Sequence, residues 1–157
     1  MIGFDTNILV YATVPIADVK VVRARDLIAR GMAAASTVLL LQTLAEFSNV
    51  AIRKADIRVA DVRKAIDAWM AVLPVQAADQ SDLIEALGAV GAHRLACWDA
   101  MLWASAKRVS VRHLLSFQDG FALHRVSFIN PFLGRNSKLI DEILPSPRRK
   151  RNTIAWD

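Results

Sequence analysis

The chain has one cysteine, Cys97, which excludes an internal disulfide and leaves no thiolate set for a metal. A reducing, cytoplasmic setting is expected. Its three histidines, His93, His113 and His124, are far apart and form no metal-ligand spacing. Neither Ser105 nor Cys97 has an identifiable base to make it a nucleophile. Glycine is scarce, and Gly88-Ala89-Val90-Gly91 lacks both the Gly-rich pattern and the preceding strand of a phosphate loop, so no nucleotide cofactor is expected. No apolar run is long and uninterrupted enough to span a bilayer, and nothing reads as a basic leader with a cleavage site. No membrane association is expected.

What remains is a 157-residue chain that is 54% hydrophobic, enough to bury one ordinary core without staples. Repeats, linkers and a second folded domain are not visible. The natural division is 1–136 as the folded domain and 137–157 as an amphipathic helix with a basic tail. Net charge is +5, and Arg148, Arg149, Lys150 and Arg151 contribute four of the cations. Residues 1–136 carry 15 Lys and Arg against 12 Asp and Glu, a balance that permits a polyanionic partner without requiring one. The basic cluster reads as a solvated tail or as an arm contacting RNA phosphates.

Periodicity gives the coarse order. Ile2 to Phe4 reads as a buried parallel strand. Ala17 to Gly31 has helical spacing, with Val21, Val22, Ala24, Leu27 and Ile28 inward, Arg30 outward and Gly31 as the terminating residue. Ala33 to Ser36 is a short second strand, followed by a helix over 38–54 and another over 61–73 stopped by Pro74. Val75 to Ala77 is a brief strand. A helix then runs from about Asp79 or Ser81 to about Gly88, and another from Cys97 to Arg108. His113 to Ser116 and Val126 to Ile129 are strands around an Asp119-Gly120 turn. Leu139, Ile140, Ile143 and Leu144 form one side of a last short helix. This is the order of a compact α/β sandwich.

Three acids stand out against the apolar pattern. Asp5 follows the first strand, where it either caps the next helix or projects into the crevice at the strand ends, the usual ligand site of open α/β sheets. Glu46 lies on the flank of the apolar stripe Leu40, Leu44, Phe47 and Ala51. Asp99 is in the first turn of its helix, where the macrodipole favours an anion, yet it shares a stripe with Leu102, Trp103 and Ala106. Buried acids need partners, and no Arg or His is within a turn of Asp99 on that face. A divalent cation would satisfy several such carboxylates; without it they repel and at least one pKa rises. Trp69, Trp98 and Trp103 read as core, with Trp98 also placed to line the mouth of such a site.

The motifs Phe4-Asp5-Thr6-Asn7-Ile8-Leu9-Val10-Tyr11, Leu44-Ala45-Glu46-Phe47, Trp98-Asp99-Ala100, Leu114-Leu115-Ser116 with Gln118-Asp119-Gly120, and Asn130-Pro131-Phe132 occur in that order. Together they resemble the PIN domain, in particular the VapC-type toxin ribonucleases. The resemblance implies a three-layer α/β/α sandwich with a central, mainly parallel sheet. It implies an Mg²⁺- or Mn²⁺-dependent endoribonuclease, the toxin of a toxin–antitoxin pair, acting on RNA, bound by a small antitoxin and forming a homodimer. Asp5, Glu46 and Asp99 would be the catalytic, metal-binding acids, with Thr6, Asn7 and Ser116 in support. Such sequences usually carry a further acid directly after the fourth-motif strand. Here Phe117 and Gln118 stand there, so Asp119 is either a substitute ligand or the former of a turn. The other reading is a catalytically weak domain that acts as an RNA-binding or protein-interaction module.

Overall fold

In the computed structural model, residues 1–117 and 122–146 are described; Asp119 and the Arg148 to Arg151 cluster lie outside them. The chain runs β1 (Ile2–Phe4), α1 (Thr6–Thr13), α2 (Val19–Ala33), β2 (Leu39–Leu40), α3 (Leu41–Arg53), α4 (Val59–Met70), β3 (Val75–Gln76), α5 (Gln80–His93) and α6 (Cys97–Arg108). It continues with β4 (His113–Leu115), β5 (Ala122–Leu123), β6 (Val126–Ile129), a 3₁₀ turn (Gly134–Asn136) and α7 (Ser137–Ile143).

The main sheet has the order β1-β4-β6-β5, parallel except for the edge strand β5. A parallel β2-β3 pair joins it across β1: the Ile2 amide donates to the Ser36 carbonyl at 2.8 Å and the Val38 amide to the Ile2 carbonyl at 2.9 Å. Side chains alternate across the strands and so supply two cores. Phe4, Leu115 and Ile129 are in register and pack with Leu9, Leu27, Phe47, Trp69 and Ile140 on one face. Leu114 and Phe128 are in register on the other, with Ala86, Ala100, Trp103 and Ala104 of α5 and α6. Helices on both faces of a mainly parallel sheet give the expected three layers.

Five sequence expectations change. The second strand is at Leu39–Leu40 and not at Ala33 to Ser36, because the free edges of β1 and β3 capture 36–40 while α2 continues through Ala33. Gly31 is accordingly inside α2 and does not end it. Its role is close packing: a Cβ there would come 2.6 Å from Phe4 Cζ. Arg30, expected outside, is only 3% exposed. Its Nε donates to the Leu144 carbonyl at 2.6 Å, its Nη2 to the same carbonyl and to Asp141 Oδ1, so a guanidinium caps the end of α7. Val22, expected inside, is 67% exposed, since the α7 side of α2 and not the Val22 side meets the core. Helix α5 passes through Gly88 and Gly91 and stops at Arg94, which takes a left-handed conformation (φ 57°). Among the described residues no helix is long and apolar enough to cross a membrane.

Candidate functional site

The parallel sheet decides where the acids meet. Asp5 directly follows β1 and Ser116 directly follows β4, and the ladder extends to both: the Asp5 amide donates to the Leu115 carbonyl at 2.9 Å, the Ser116 amide to the Ile129 carbonyl at 3.0 Å. Two adjacent strand ends thus present a carboxylate beside a hydroxyl. Ser116 Oγ donates to Asp5 Oδ2 at 2.6 Å. The amide of Asn7, one residue into α1, closes the triangle, its Nδ2 donating to Asp5 Oδ2 at 2.9 Å and to Ser116 Oγ at 3.1 Å. Asn7 Oδ1 accepts from the Phe117 amide at 3.1 Å, which pins the chain leaving β4. Asp5 also caps α1, since its Oδ1 accepts from the Thr6 amide at 2.6 Å. The cap and the crevice position are therefore one arrangement and not alternatives.

Thr6 reaches the second acid. Its Oγ1 donates to Glu46 Oε2 at 2.9 Å, and Gln42, one turn earlier on α3, donates through Nε2 to Glu46 Oε1 at 2.9 Å. The same Gln42 nitrogen donates to the Trp98 carbonyl at 3.0 Å and so ties α3 to the start of α6, where Asp99 stands. In the sequence only the i, i+4 spacing to Glu46 marks Gln42. Asn130, the first residue of the Asn130-Pro131-Phe132 motif, donates to the Phe117 carbonyl at 2.8 Å, and the Phe132 ring packs 4.5 Å from that of Phe117. Trp98 is no core residue: it is 68% exposed, whereas Trp69 and Trp103 are buried.

Charge is the distinctive property of the site. Asp5 is 9% exposed and its pKa is raised, chiefly by burial, against the lowering effect of the Ser116 and Thr6 hydrogen bonds; the negative charges of Glu46 and Asp99 raise it further. Asp99 is raised by partial burial and then by Glu46. Among the described residues no Lys, Arg or His forms an ion pair with Asp5, Glu46 or Asp99. The structure therefore brings Asp5, Thr6, Asn7, Glu46, Asp99 and Ser116 into one crevice whose donors are all neutral.

As a cation site the donor chemistry fits, being hard carboxylate oxygen held by hydroxyls and amides. With the side chains as they stand, the described residues contain no group of three His, Cys, Asp or Glu closed tightly enough to hold one ion alone. A Mg²⁺ ion in general keeps several waters and takes one or two carboxylates plus substrate oxygens.

No protein-family model matches this sequence, and no curated protein is significantly similar to it. Solved structures are similar in fold. One is VapC20 of Mycobacterium tuberculosis, a sarcin-ricin loop cleaving toxin: 14% identity, TM-score 0.61, covering 81% of this chain and 99% of that one. Another is a chain of a toxin–antitoxin complex from Klebsiella pneumoniae, at 17% identity and TM-score 0.62 over 84% of this chain and 98% of that one. The class is thus an α/β domain with the fold of a VapC toxin, the fold that the sequence motifs imply.

Proposed function

We propose that the chain is a metal-dependent endoribonuclease that hydrolyses RNA phosphodiester bonds and serves as the toxin of a toxin–antitoxin pair. The observation that carries this reading is the crevice of Asp5, Glu46 and Asp99, which gathers negative charge at the carboxyl ends of β1 and β4 without a protein cation. The resemblance of the motifs and the fold of the VapC20 structure support the same reading.

Asp5, Glu46 and Asp99 would hold Mg²⁺ or Mn²⁺, and the chemistry such an ion supplies when bound is neutralisation of phosphate charge and acidification of a water. The protein's own groups do the positioning. Ser116 and Asn7 both donate to Asp5 Oδ2 and the Thr6 amide donates to Oδ1, which fixes the carboxylate. Thr6 and Gln42 fix Glu46 in the same way. Asp99 accepts no hydrogen bond among the described residues, which leaves its oxygens free for an ion or a water. An Asp119 ligand and a basic arm of Arg148, Arg149, Lys150 and Arg151 on RNA belong to the proposal through the sequence alone. So do a homodimer and a cytoplasmic setting, while a small antitoxin partner has further support in the similar fold of a chain from a toxin–antitoxin complex.

The test is incubation of the protein with mixed RNA and Mn²⁺ beside Asp99→Asn and Asp119→Asn variants. Cleavage by the wild type that is lost with Asp99→Asn, and with EDTA, is the expected result; RNA bound but uncut at every metal concentration would overturn it. Normal cleavage by Asp119→Asn removes that residue from the ligand set. Co-purification with the product of an adjoining small reading frame checks the antitoxin.

A further inference from the structure

A groove of about 570 Å³ opens beside the carboxylates, between α3 and α6. Its apolar lining includes Ala45, Val50, Trp98 and Met101, and its polar members include Glu46 and Asn49. The groove and the carboxylate crevice are one continuous surface. Glu46 belongs to both, and Gln42 bonds at once to Glu46 and to the Trp98 carbonyl. Trp98 precedes Asp99 in the first turn of α6, and its indole is the one tryptophan left open to solvent among the described residues.

Chemistry narrows what can enter. A phosphate is repelled by Glu46 and gains nothing from apolar walls, whereas an uncharged, flat, partly polar ring gains from both stacking and a polar rim. Single-stranded RNA offers such rings one nucleotide away from every phosphate. We infer that Trp98 is a stacking platform for an unpaired nucleobase next to the scissile phosphate, with Asn49 at the edge of that base, so that the α3–α6 groove is the nucleotide subsite of the enzyme. This rests on the ribonuclease reading, which supplies RNA as the substrate. The subsite makes the enzyme prefer unpaired RNA, and purines over pyrimidines at the groove, because the larger ring system stacks more area.

Binding can be measured apart from cleavage. Ten-nucleotide oligoadenylate and oligouridylate, with 2′-O-methyl sugars and with Ca²⁺ in place of Mn²⁺ to hold cleavage back, are titrated into wild type, Trp98→Ala and Trp98→Phe, with thermal midpoints as folding controls. Trp98→Ala is expected to weaken oligoadenylate binding about ten- to a hundredfold. Trp98→Phe should stay within about threefold of wild type, since the phenyl ring still stacks. On cleavable RNA the Trp98→Ala loss should appear in KM more than in kcat, as a binding defect and not a chemical one. Equal binding by wild type and Trp98→Ala overturns the inference, as does wild type that binds neither oligomer. A wild type that cuts RNA while Trp98→Ala keeps its KM sinks the subsite and leaves the ribonuclease standing. Trp98-dependent binding without cleavage at any metal level does the reverse. A groove that takes an apolar peptide of a partner protein would show the first of these patterns, with unchanged RNA binding in Trp98→Ala.

Discussion

Asp5 and Asp82 are the two buried carboxylates among the described residues, 9% and 1% exposed. Asp82 links α5 to α6: its oxygens accept from Arg108 Nε at 2.9 Å, Arg108 Nη2 at 3.0 Å, Ser105 Oγ at 3.0 Å and the Asp79 amide at 2.9 Å. Asp5 accepts as many bonds to its neighbourhood as it needs for orientation, from Ser116, Asn7 and Thr6, but every donor is neutral. One acid has its countercharge supplied by the fold, and the other is positioned beside two more acids with none. A buried charge that the protein pairs is architecture. A buried charge that the protein orients but does not neutralise is what the proposed cation site calls for.

That contrast can be broken by experiment. The largest effect on stability should come from Asp82→Ala, which takes the buried carboxylate away from Arg108 and Ser105 and removes the Asp82 half of the α5 capping box, leaving Arg108 only Asp79 and the Ala77 carbonyl. About 3 kcal/mol should be lost by urea denaturation, with residual cleavage per folded molecule unchanged. Asp5→Asn and Asp99→Asn should behave in the opposite way, losing at least about a hundredfold in cleavage rate with no loss of thermal midpoint. A folding defect in Asp99→Asn equal to that of Asp82→Ala would make both acids architectural.

Next in size are the residues that hold the acids. Ser116→Ala and Asn7→Ala should each lower cleavage about 10- to 100-fold at limiting Mn²⁺ and recover part of it at saturating metal, as expected for groups acting through a ligand. Unchanged metal dependence would assign them to folding alone. The smallest effect is on stability against pH. The folded-state pKa of Asp5 is raised above 3.8, so the folded chain binds that proton more tightly than the unfolded chain does. Stability attributable to Asp5 therefore falls as pH rises from the ordinary carboxylate value through the raised one, and the penalty is complete above it. Asp5→Asn should raise the midpoint at neutral pH and not at acid pH. Mn²⁺ at ten times its dissociation constant should stabilise the wild type by about 1.4 kcal/mol at neutral pH, an effect that fades as acid protonates the site. No midpoint shift with Mn²⁺ would argue against a cation at these acids.

The acids of the candidate site stand out in the sequence because they interrupt apolar patterns. Asp5 after a continuous apolar strand and Asp99 on the stripe of Leu102 and Trp103 both violate binary patterning, and such violations concentrate where function opposes burial. Gln42 and Asn130 violate nothing. A glutamine on a helix flank and an asparagine after a strand are ordinary choices, and only the position of Glu46 and of the Phe117 carbonyl gives them work. Arg30 shows the same in reverse: its charge predicted solvent, and the α7 carbonyls that it caps are 114 residues away at Leu144. Local sequence carries no record of such a partner.

By itself, then, the sequence determined the elements with strong periodicity, the α/β class, and the residue types that a cation would want, since these depend on neighbours within a turn or a strand. The tertiary structure decided which strand edge captures 36–40, why Gly31 must lack a Cβ, that Trp98 stands open while its two companions are buried, and that Asp5 and not Asp82 lacks a countercharge. Each of these depends on which distant atoms a side chain meets. For Asp5 the answer is set by parallel pairing of β1 with β4, which lines up two strand ends 111 residues apart and puts Ser116 against the acid.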